Sequence, residues 1–488
     1  MERFAKSNGN VAIKCTVVGF GQGGCRVADL FAAIRDNEGN RVYNVLGFNS
    51  NDGDFGALRY IDKENLVSLG TGGFGKDPEA AIRYIESNDE AKEKIKRFVS
   101  DKIRVDDEMV LFITTAGGGT GTSTIEKTIE EFNEYHNASK LKAVLKELIQ
   151  KHPDQWKSNK NALLSKAFKE SQKTAIKIGV IYALPVRHDG PEVLRQVNDF
   201  AARMWENAQK PGSNIAFTMF PDNQYMKDIW EEEKASGRKT VDNYRDFVNE
   251  RIVEVFHELN AGVAIGGTDV VFDPQDFRKI ILDKRGNLVV GKLRKSNNEI
   301  KNTNDLIELV KDSITSPYLH EPVRFEVKTA SGETELKEVQ NVGLFTVIPK
   351  GSTIDNAFID KMKDEIVEMM PLKGTVFSGY VEQLSDFNVI AYTFYKTLAL
   401  PERLQVGLVE EYETFMARTS KISSEADTIQ RVEAIQEDEY DLQDFDIDLS
   451  DLGIDIDDEV ASSKELEQEI DLENINLDEF DLDDEEDK

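Results

Sequence analysis

The segment Met109 to Thr122, MVLFITTAGGGTGT, carries an apolar strand directly into a glycine-rich turn backed by threonines. Glycines let backbone amides curl around an oxyanion, and hydroxyls add donors or reach a bound Mg2+. A helical pattern beginning at Ser123 would aim its positive N-terminal end at the same point. Together these make a phosphate cradle, and a tight turn is the plainer reading of the same glycines. The pattern is not a P-loop, because no lysine follows a glycine, and it lacks GxGxxG spacing.

Two further strand-to-helix junctions carry the same device. VAIKCTVVGFGQGGCRVADLF turns through Gly19, Gly21, Gly23 and Gly24, with Gln22 able to donate to a phosphate or to a metal-bound water. LVSLGTGGFGKDPEAAIRYIE holds Gly70, Gly72, Gly73 and Gly75, then Pro78 and Glu79 in the order expected of a helix start. One such turn alone would also fit a dinucleotide oxidoreductase. Three of them in about a hundred residues point to a single phosphate site.

The elements that must hold these turns follow from hydrophobic patterning. Up to about residue 235, apolar strands (VAIKCTVVGF, RVYNVLGFN, NLVSLG, MVLFITT, IKIGVIYALP, NIAFTMFP) alternate with helical segments. That alternation predicts an α/β fold with a parallel sheet and ligand loops at the carboxyl strand ends. A central helix is expected over about 239–260, with Phe247, Ile252, Val255, Phe256 and Leu259 on one face. A smaller α/β domain follows over 261–400, then a helix over 401–420. The nucleotide-binding domain accordingly spans 1–238.

Between 137 and 177 lies a segment with ten lysines and three acids in amphipathic helical patterns. Its lysines read as a solvated face, or as a contact for the acidic tail, a neighbouring filament or DNA. The tail, 421–488, has 28 acids against 4 bases, a net −24 of the chain's −31. Self-repulsion predicts disorder there. Its regularly placed Phe445, Ile447, Leu449, Phe480 and Leu482 leave partner binding and an entropic bristle as alternatives. Cys15 and Cys25 are too few for a disulfide framework. With no membrane-length apolar run and no signal peptide, a cytoplasmic protein is expected.

GFGQGGC, FNSNDGDFGAL, GTGGFGKDPE and AGGGTGT occur in the order and spacing of the nucleotide loops of the tubulin and FtsZ superfamily of GTPases, and the last resembles the tubulin signature. NERIVEVFHELN, DVVFDPQDF and YKTLALPERLQVGLVEEY look most like the TubZ branch of plasmids and phages. The likeness covers about residues 10–420, weakly over 136–176 and 285–340.

The resemblance implies GTP and GDP as ligands, with Mg2+. Gly21, Gln22, Gly23, Gly24 and Cys25 would approach the diphosphate, Gly72 and Gly73 the terminal phosphate, and Ala116, Gly117, Gly118, Gly119, Thr120, Gly121 and Thr122 would cradle the phosphates. Asn49 and Asp52 would face the γ-phosphate, with Gln22 and Asp52 reaching the metal through water. Asp189 matches a ribose-binding acid, with the family's nearby arginine displaced to Arg195, and Asn249 matches the residue that reads guanine. Arg26 stands where the family has a second base-side Asn. Hydrolysis would use Asp273, Asp276 or Asp269 from the next subunit, with Val271 replacing the usual Asn. Loop aspartates are otherwise turn formers.

The expected function is a GTP-dependent filament that hydrolyses GTP between subunits and moves or positions plasmid or phage DNA in a bacterial cytoplasm. The partner expected is a second copy, head to tail, with an adaptor on the acidic tail and no direct DNA contact outside the lysine-rich insertion. The alternatives are an FtsZ-like division-ring protein and a non-hydrolysing nucleotide-binding scaffold. An oxidoreductase would leave the tubulin-like signature and the aspartate loop without a role.

Overall fold

The computed structural model describes residues 10–419, except 154, 155, 157, 158, 211, 239, 265–271, 284, 329–331, 351–357 and 384–387. The tail expected to be disordered and the candidate Asp269 therefore lie outside the described residues.

The first half alternates as expected. Strands β1 (Cys15–Phe20), β2 (Asn44–Asn49), β3 (Leu66–Ser68), β4 (Met109–Thr115), β5 (Lys177–Ala183) and β6 (Ile215–Met219) are interleaved with helices. These helices are α1 (Gly21–Ala32), α2 (Pro78–Ser87), α3 (Asp89–Lys102), α4 (Gly119–Phe132), α5 (Ser139–Lys151), α6 (Lys160–Thr174), α7 (Pro191–Gln209) and α8 (Asn223–Ala235). The central helix α9 (Tyr244–Gly262) and α10 (Pro274–Ile281) follow. Then come β7 (Asn287–Ser296), α11 (Thr303–Thr315), the hairpin β8 (Glu326–Lys328) and β9 (Thr334–Leu336), β10 (Val339–Pro349), α12 (Phe358–Met369), β11 (Val376–Gln383), β12 (Asn388–Thr397) and α13 (Leu408–Thr419).

β1 and β4 read as continuous apolar runs because both faces of a parallel sheet are covered, and β1 is buried along its whole length. The strand order is β11-β10-β12-β7-β6-β5-β4-β1-β2-β3. Within β3-β2-β1-β4-β5-β6 every pairing is parallel. The order reverses direction between β1 and β4, which opens a crevice outside their carboxyl ends.

Apart from the β8–β9 hairpin, which pairs only with itself, the strands after α9 do not form a detached sheet. They continue the first through one parallel register position, Thr218 opposite Asn287, and β12 then pairs antiparallel with β7 and β10. Two further elements differ from expectation. α4 starts at Gly119 rather than Ser123, so the last residues of the glycine run form its first turn. The helix expected from Pro401 begins as a π-helical turn, Arg403–Gly407, before α13.

The lysine-rich segment is a helical hairpin of α5 and α6. Leu141, Leu145 and Leu148 on one helix and Leu163 and Ala167 on the other are buried. Asn137 closes its base by bonding both backbone groups of Ile176, at 3.2 and 3.0 Å.

α9 packs on both halves of the sheet. Its Asn260 carboxamide accepts from Ile13 N–H at 2.7 Å and donates to Ile13 C=O at 2.9 Å. On the other side Lys292 of β7 bridges Glu254 and Glu258, one helical turn apart, at 2.6 and 2.7 Å. Tyr318 and Tyr392 donate to the same two carboxylates at 3.1 and 2.7 Å. Removing one partner of such a buried network strands the remaining charges. Lys292→Met should destabilise the fold by about 3–5 kcal/mol, read from the shift in the urea unfolding midpoint.

Candidate functional site

The crevice at the reversal point is a cavity of about 460 Å3. Two helices start at its floor, and both start without a cap. The residues preceding them, Phe20 and Gly118, make no side-chain cap bond, and neither first turn carries an acid. By contrast α2, α3, α8, α9, α10 and α11 are capped by Asp77, Asn88, Asp222, Asn243, Asp273 and Asn302. An uncapped N-terminus leaves amide donors and about half a positive charge facing outward. Two such ends side by side form an anion site.

Glycine is required for the two turns to meet. Gly21 has φ +67°, and a Cβ there would lie 3.1 Å from Gly121. A Cβ on Gly121 would strike the Thr114 hydroxyl and come within 3.1 Å of the Phe20 carbonyl. Hence the β1–α1 and β4–α4 turns close on each other only while both residues lack side chains.

Of the residues singled out from the sequence, Gly21, Gln22, Gly23, Ala116, Gly117, Gly118, Gly121, Asp189 and Asn249 line this cavity. The others are placed around it. Gly24 packs on the Ile113 carbonyl and Gly119 on the Asp77 backbone. The Thr120 hydroxyl bonds Ser50 at 2.6 Å, and that of Thr122 bonds the Gly118 carbonyl at 3.0 Å. Asn49 is buried and donates to Asp54 at 2.8 Å. Gly72 and Gly73 sit in a loop where glycines 70, 72, 73 and 75 all have positive φ, and a Cβ on any of them would meet nothing within 4 Å. That loop needs glycine for its backbone path, not for packing.

The Cys25 thiol points away from the cavity, toward the Gly19 carbonyl at 3.3 Å. Asp52 is exposed, whereas Asp54 meets both Asn49 and, at 3.4 Å, Gln22. An Mg2+ ion commonly takes one or two protein carboxylates and completes its shell with water and phosphate oxygens. Gln22 and Asp54 fit that role. Among the described residues no group of three or more His, Cys, Asp or Glu side chains converges as a closed metal cage.

Sequence reasoning missed Lys76, Thr115, Asn223, Tyr244 and Arg245, all lining the cavity. Lys76 had a signal, being the one cation inside a glycine loop, and it holds φ +67°, an uncommon conformation for a residue with a side chain. Arg245 lies four residues before Asn249 and so shares its helical face. Asn223 is first in α8 and carried no local signal. With Arg26, the cavity has three cations against Asp189.

The two described loop aspartates lie elsewhere. Asp273 is exposed and caps α10 by accepting from Gln275 N–H at 2.7 Å, while Asp276 is half-buried and lies 3.5 Å from Lys279. Arg278 of the same helix bonds Glu108 at 2.6 Å, immediately before β4. The cavity is at the other end of β4, roughly 23 Å away at ~3.3 Å per residue. Asp273 is five residues from Arg278, only about 7.5 Å of helical rise. These aspartates cannot reach their own chain's cavity.

No family model matches the chain. It is 23% identical over 443 residues to the tubulin-like protein TubZ of Bacillus thuringiensis subsp. israelensis, across 87% of this chain and 82% of that one. A crystal structure of a GTPγS-form protofilament of the TubZ of B. thuringiensis serovar israelensis superposes with TM-score 0.62 at 19% identity, covering 86% of this chain and 98% of that one. GDP-bound CetZ1 from Haloferax volcanii superposes with TM-score 0.54 at 16% identity, covering 84% and 100%. The chain has the fold of these tubulin-like structures. Its sequence relatives lie in the TubZ branch. Among the described residues no helix is long and apolar enough to cross a membrane.

Within this superfamily fold the cysteines are structural. Both are buried and unbridged. Burial pushes the Cys25 thiol up to about 12, assisted by Asp54 and Asp29 and opposed by its bond to the Phe48 carbonyl. The native protein should therefore give no rapid thiol titration with Ellman's reagent at pH 8, and two equivalents after unfolding in guanidinium. Because the folded state holds the proton more tightly, Cys25's contribution to stability is complete below pH ~9 and is lost as pH rises toward 12.

Proposed function

We propose that this chain binds GTP in the crevice between β1 and β4, assembles head to tail, and hydrolyses GTP at the contact between copies. The carrying observation is the separation just described: a crevice with two uncapped helix ends at one end of the sheet, and an exposed aspartate at the start of a helix at the other. A second copy stacked along the sheet axis brings the two together. Such a contact is heterologous and propagates unless its rotation closes a ring. The protofilament form of the TubZ relative supports this reading.

Phosphoryl transfer asks little covalent chemistry of the protein beyond positioning and neutralising charge. The amides of Gly21 to Gly23 and of Gly117 and Gly118 hold the phosphates, and Lys76 adds charge beside them. Bound Mg2+ would neutralise charge developing on the β- and γ-phosphates. Gln22 and Asp54 would hold it, through water. Asp189 takes the ribose hydroxyls and Asn249 the base, with Tyr244 and Arg245 packed alongside. Asp273 of the next copy, with Asp276 beside it, orients the attacking water, and Asp269 is a third such carboxylate.

The filament's task is to move or position plasmid or phage DNA through an adaptor held by the acidic tail. A similar solved structure, that of a type III plasmid segregation TubZ, supports the plasmid reading, and the tail's acids interleaved with Phe, Leu and Ile support a bound adaptor. With a net −24 on the tail, direct DNA contact is left to the α5–α6 hairpin.

The test is GTP turnover against protein concentration, with pelleting in GTP, GDP and ATP. Turnover per molecule should rise steeply above a critical concentration, with pelleting only in GTP. Asp273→Ala should pellet in GTP yet lose about 10²-fold or more in turnover. Constant turnover per molecule with no polymer in any nucleotide would overturn the reading.

A further inference from the structure

A strongly buried ion cluster beside the cavity-lining elements involves a residue far away in sequence. Arg403, in the turn leading to α13, is 4% exposed and donates four hydrogen bonds. Two go to Glu411 of α13, at 3.0 and 2.9 Å. The others go to Asp222, at 2.7 Å, and to the Pro185 carbonyl, at 2.5 Å.

Each of the last two acceptors adjoins a cavity-lining residue. Asp222 caps α8 by accepting from Gln224 N–H at 2.8 Å, and α8 begins with Asn223. Pro185 leads into the turn Arg187–Asp189, whose last residue is Asp189. Glu411 reaches that turn directly, accepting from Arg187 at 3.1 Å. The turn and α8 are joined in addition by Arg187 N–H to the Gln224 side chain, at 3.0 Å. Leu408 and Phe415 of α13 pack in the same apolar cluster as Val193 and Leu194 of α7, which begins two residues after Asp189.

We propose that Arg403 and Glu411 are positioning residues for the nucleotide: they hold Asp189 and Asn223 in place through the Pro185–Asp189 turn and the α8 cap, and so couple docking of the C-terminal helix to nucleotide affinity. This rests on the crevice being the GTP site. The guanidinium is needed because its planar fork meets a carboxylate with two bonds while its remaining N–H groups reach Asp222 and Pro185, which an ammonium cannot do. Linkage makes the coupling reciprocal, since a ligand that stabilises the Asp189 turn must stabilise α13 by the same factor. α13 carries the chain toward the acidic tail, so a pull on that tail would act on this lock first.

The experiment uses the full chain below its assembly concentration, with fluorescently labelled GDP as probe. Glu411→Gln and Arg403→Lys should each raise the Kd by about five- to tenfold, the lower part of the usual range for coupled sites. Glu402→Gln is the control. It breaks an exposed pair with Arg324 in the same turn and should leave the Kd unchanged. In the wild-type chain, unlabelled GDP should slow amide hydrogen exchange over residues 408–419.

A purely structural role would lower the melting temperature while leaving the Kd of the folded protein unchanged. That outcome, or wild-type exchange over 408–419 indifferent to saturating GDP, overturns the proposal, and the exchange measurement needs no variant to fold. A wild-type chain that binds no guanine nucleotide instead overturns the reading of the crevice, so the two failures are distinguishable.

Discussion

The molecule is organised around two helix N-termini that no side chain caps. α1 and α4 begin side by side, each without a capping side chain and without an acid in its first turn. Leaving such donors unpaired costs free energy unless water or a ligand satisfies them. Their convergence also forces the surrounding sequence to be small. Gly21 and Gly121 are in near contact, which leaves no room for a side chain at either position. The cations Arg26, Lys76 and Arg245 then sit around its wall, where their charge reinforces that of the helix ends.

α9 transmits this arrangement to the rest of the chain. It carries Asn249 into the crevice, clamps Ile13 ahead of β1 through Asn260, and meets β7 through the two carboxylates on Lys292. Only one register position joins β6 to β7 directly, so the helix, not the sheet, is the principal tie between the halves. A polar network suits that task because it fixes axial register, whereas an apolar face alone tolerates sliding by a turn.

The C-terminal helix adds a second tie, this time from the outside. Asp222 shows its character: burial raises its carboxyl above the ordinary range even though the Arg403 guanidinium and two backbone amides act to lower it. A carboxylate in such a place keeps its charge only by keeping its partner. The cap on α8, and with it the placement of Asn223, is thereby conditional on a residue 181 positions later in the chain.

Most of the parallel half was legible in the sequence because buried parallel strands are written as continuous apolar runs, as in β1, β4, β5 and β6, while the half-buried edge strand β3 shows only a short one. The glycine turns were legible too, since close approach and positive φ leave few other residue types. What local pattern could not carry was the division of labour within those turns. Thr120 and Thr122 have the chemistry of phosphate ligands, but only the fold shows their hydroxyls bonded to the Ser50 side chain and to the Gly118 carbonyl. Asp52 and Asp54 are equivalent by spacing, and only the fold of the short helical turn decides that Asp54 meets Gln22. Composition and order by themselves determined an α/β protein with glycine turns at its strand ends and an acidic tail, because those properties reside in residue types and local geometry. Tertiary structure alone decided that the aspartate helix stands at the far end of the sheet from the crevice, and that Arg403 lies against the elements bearing Asp189 and Asn223, because both depend on which distant segments the fold brings together.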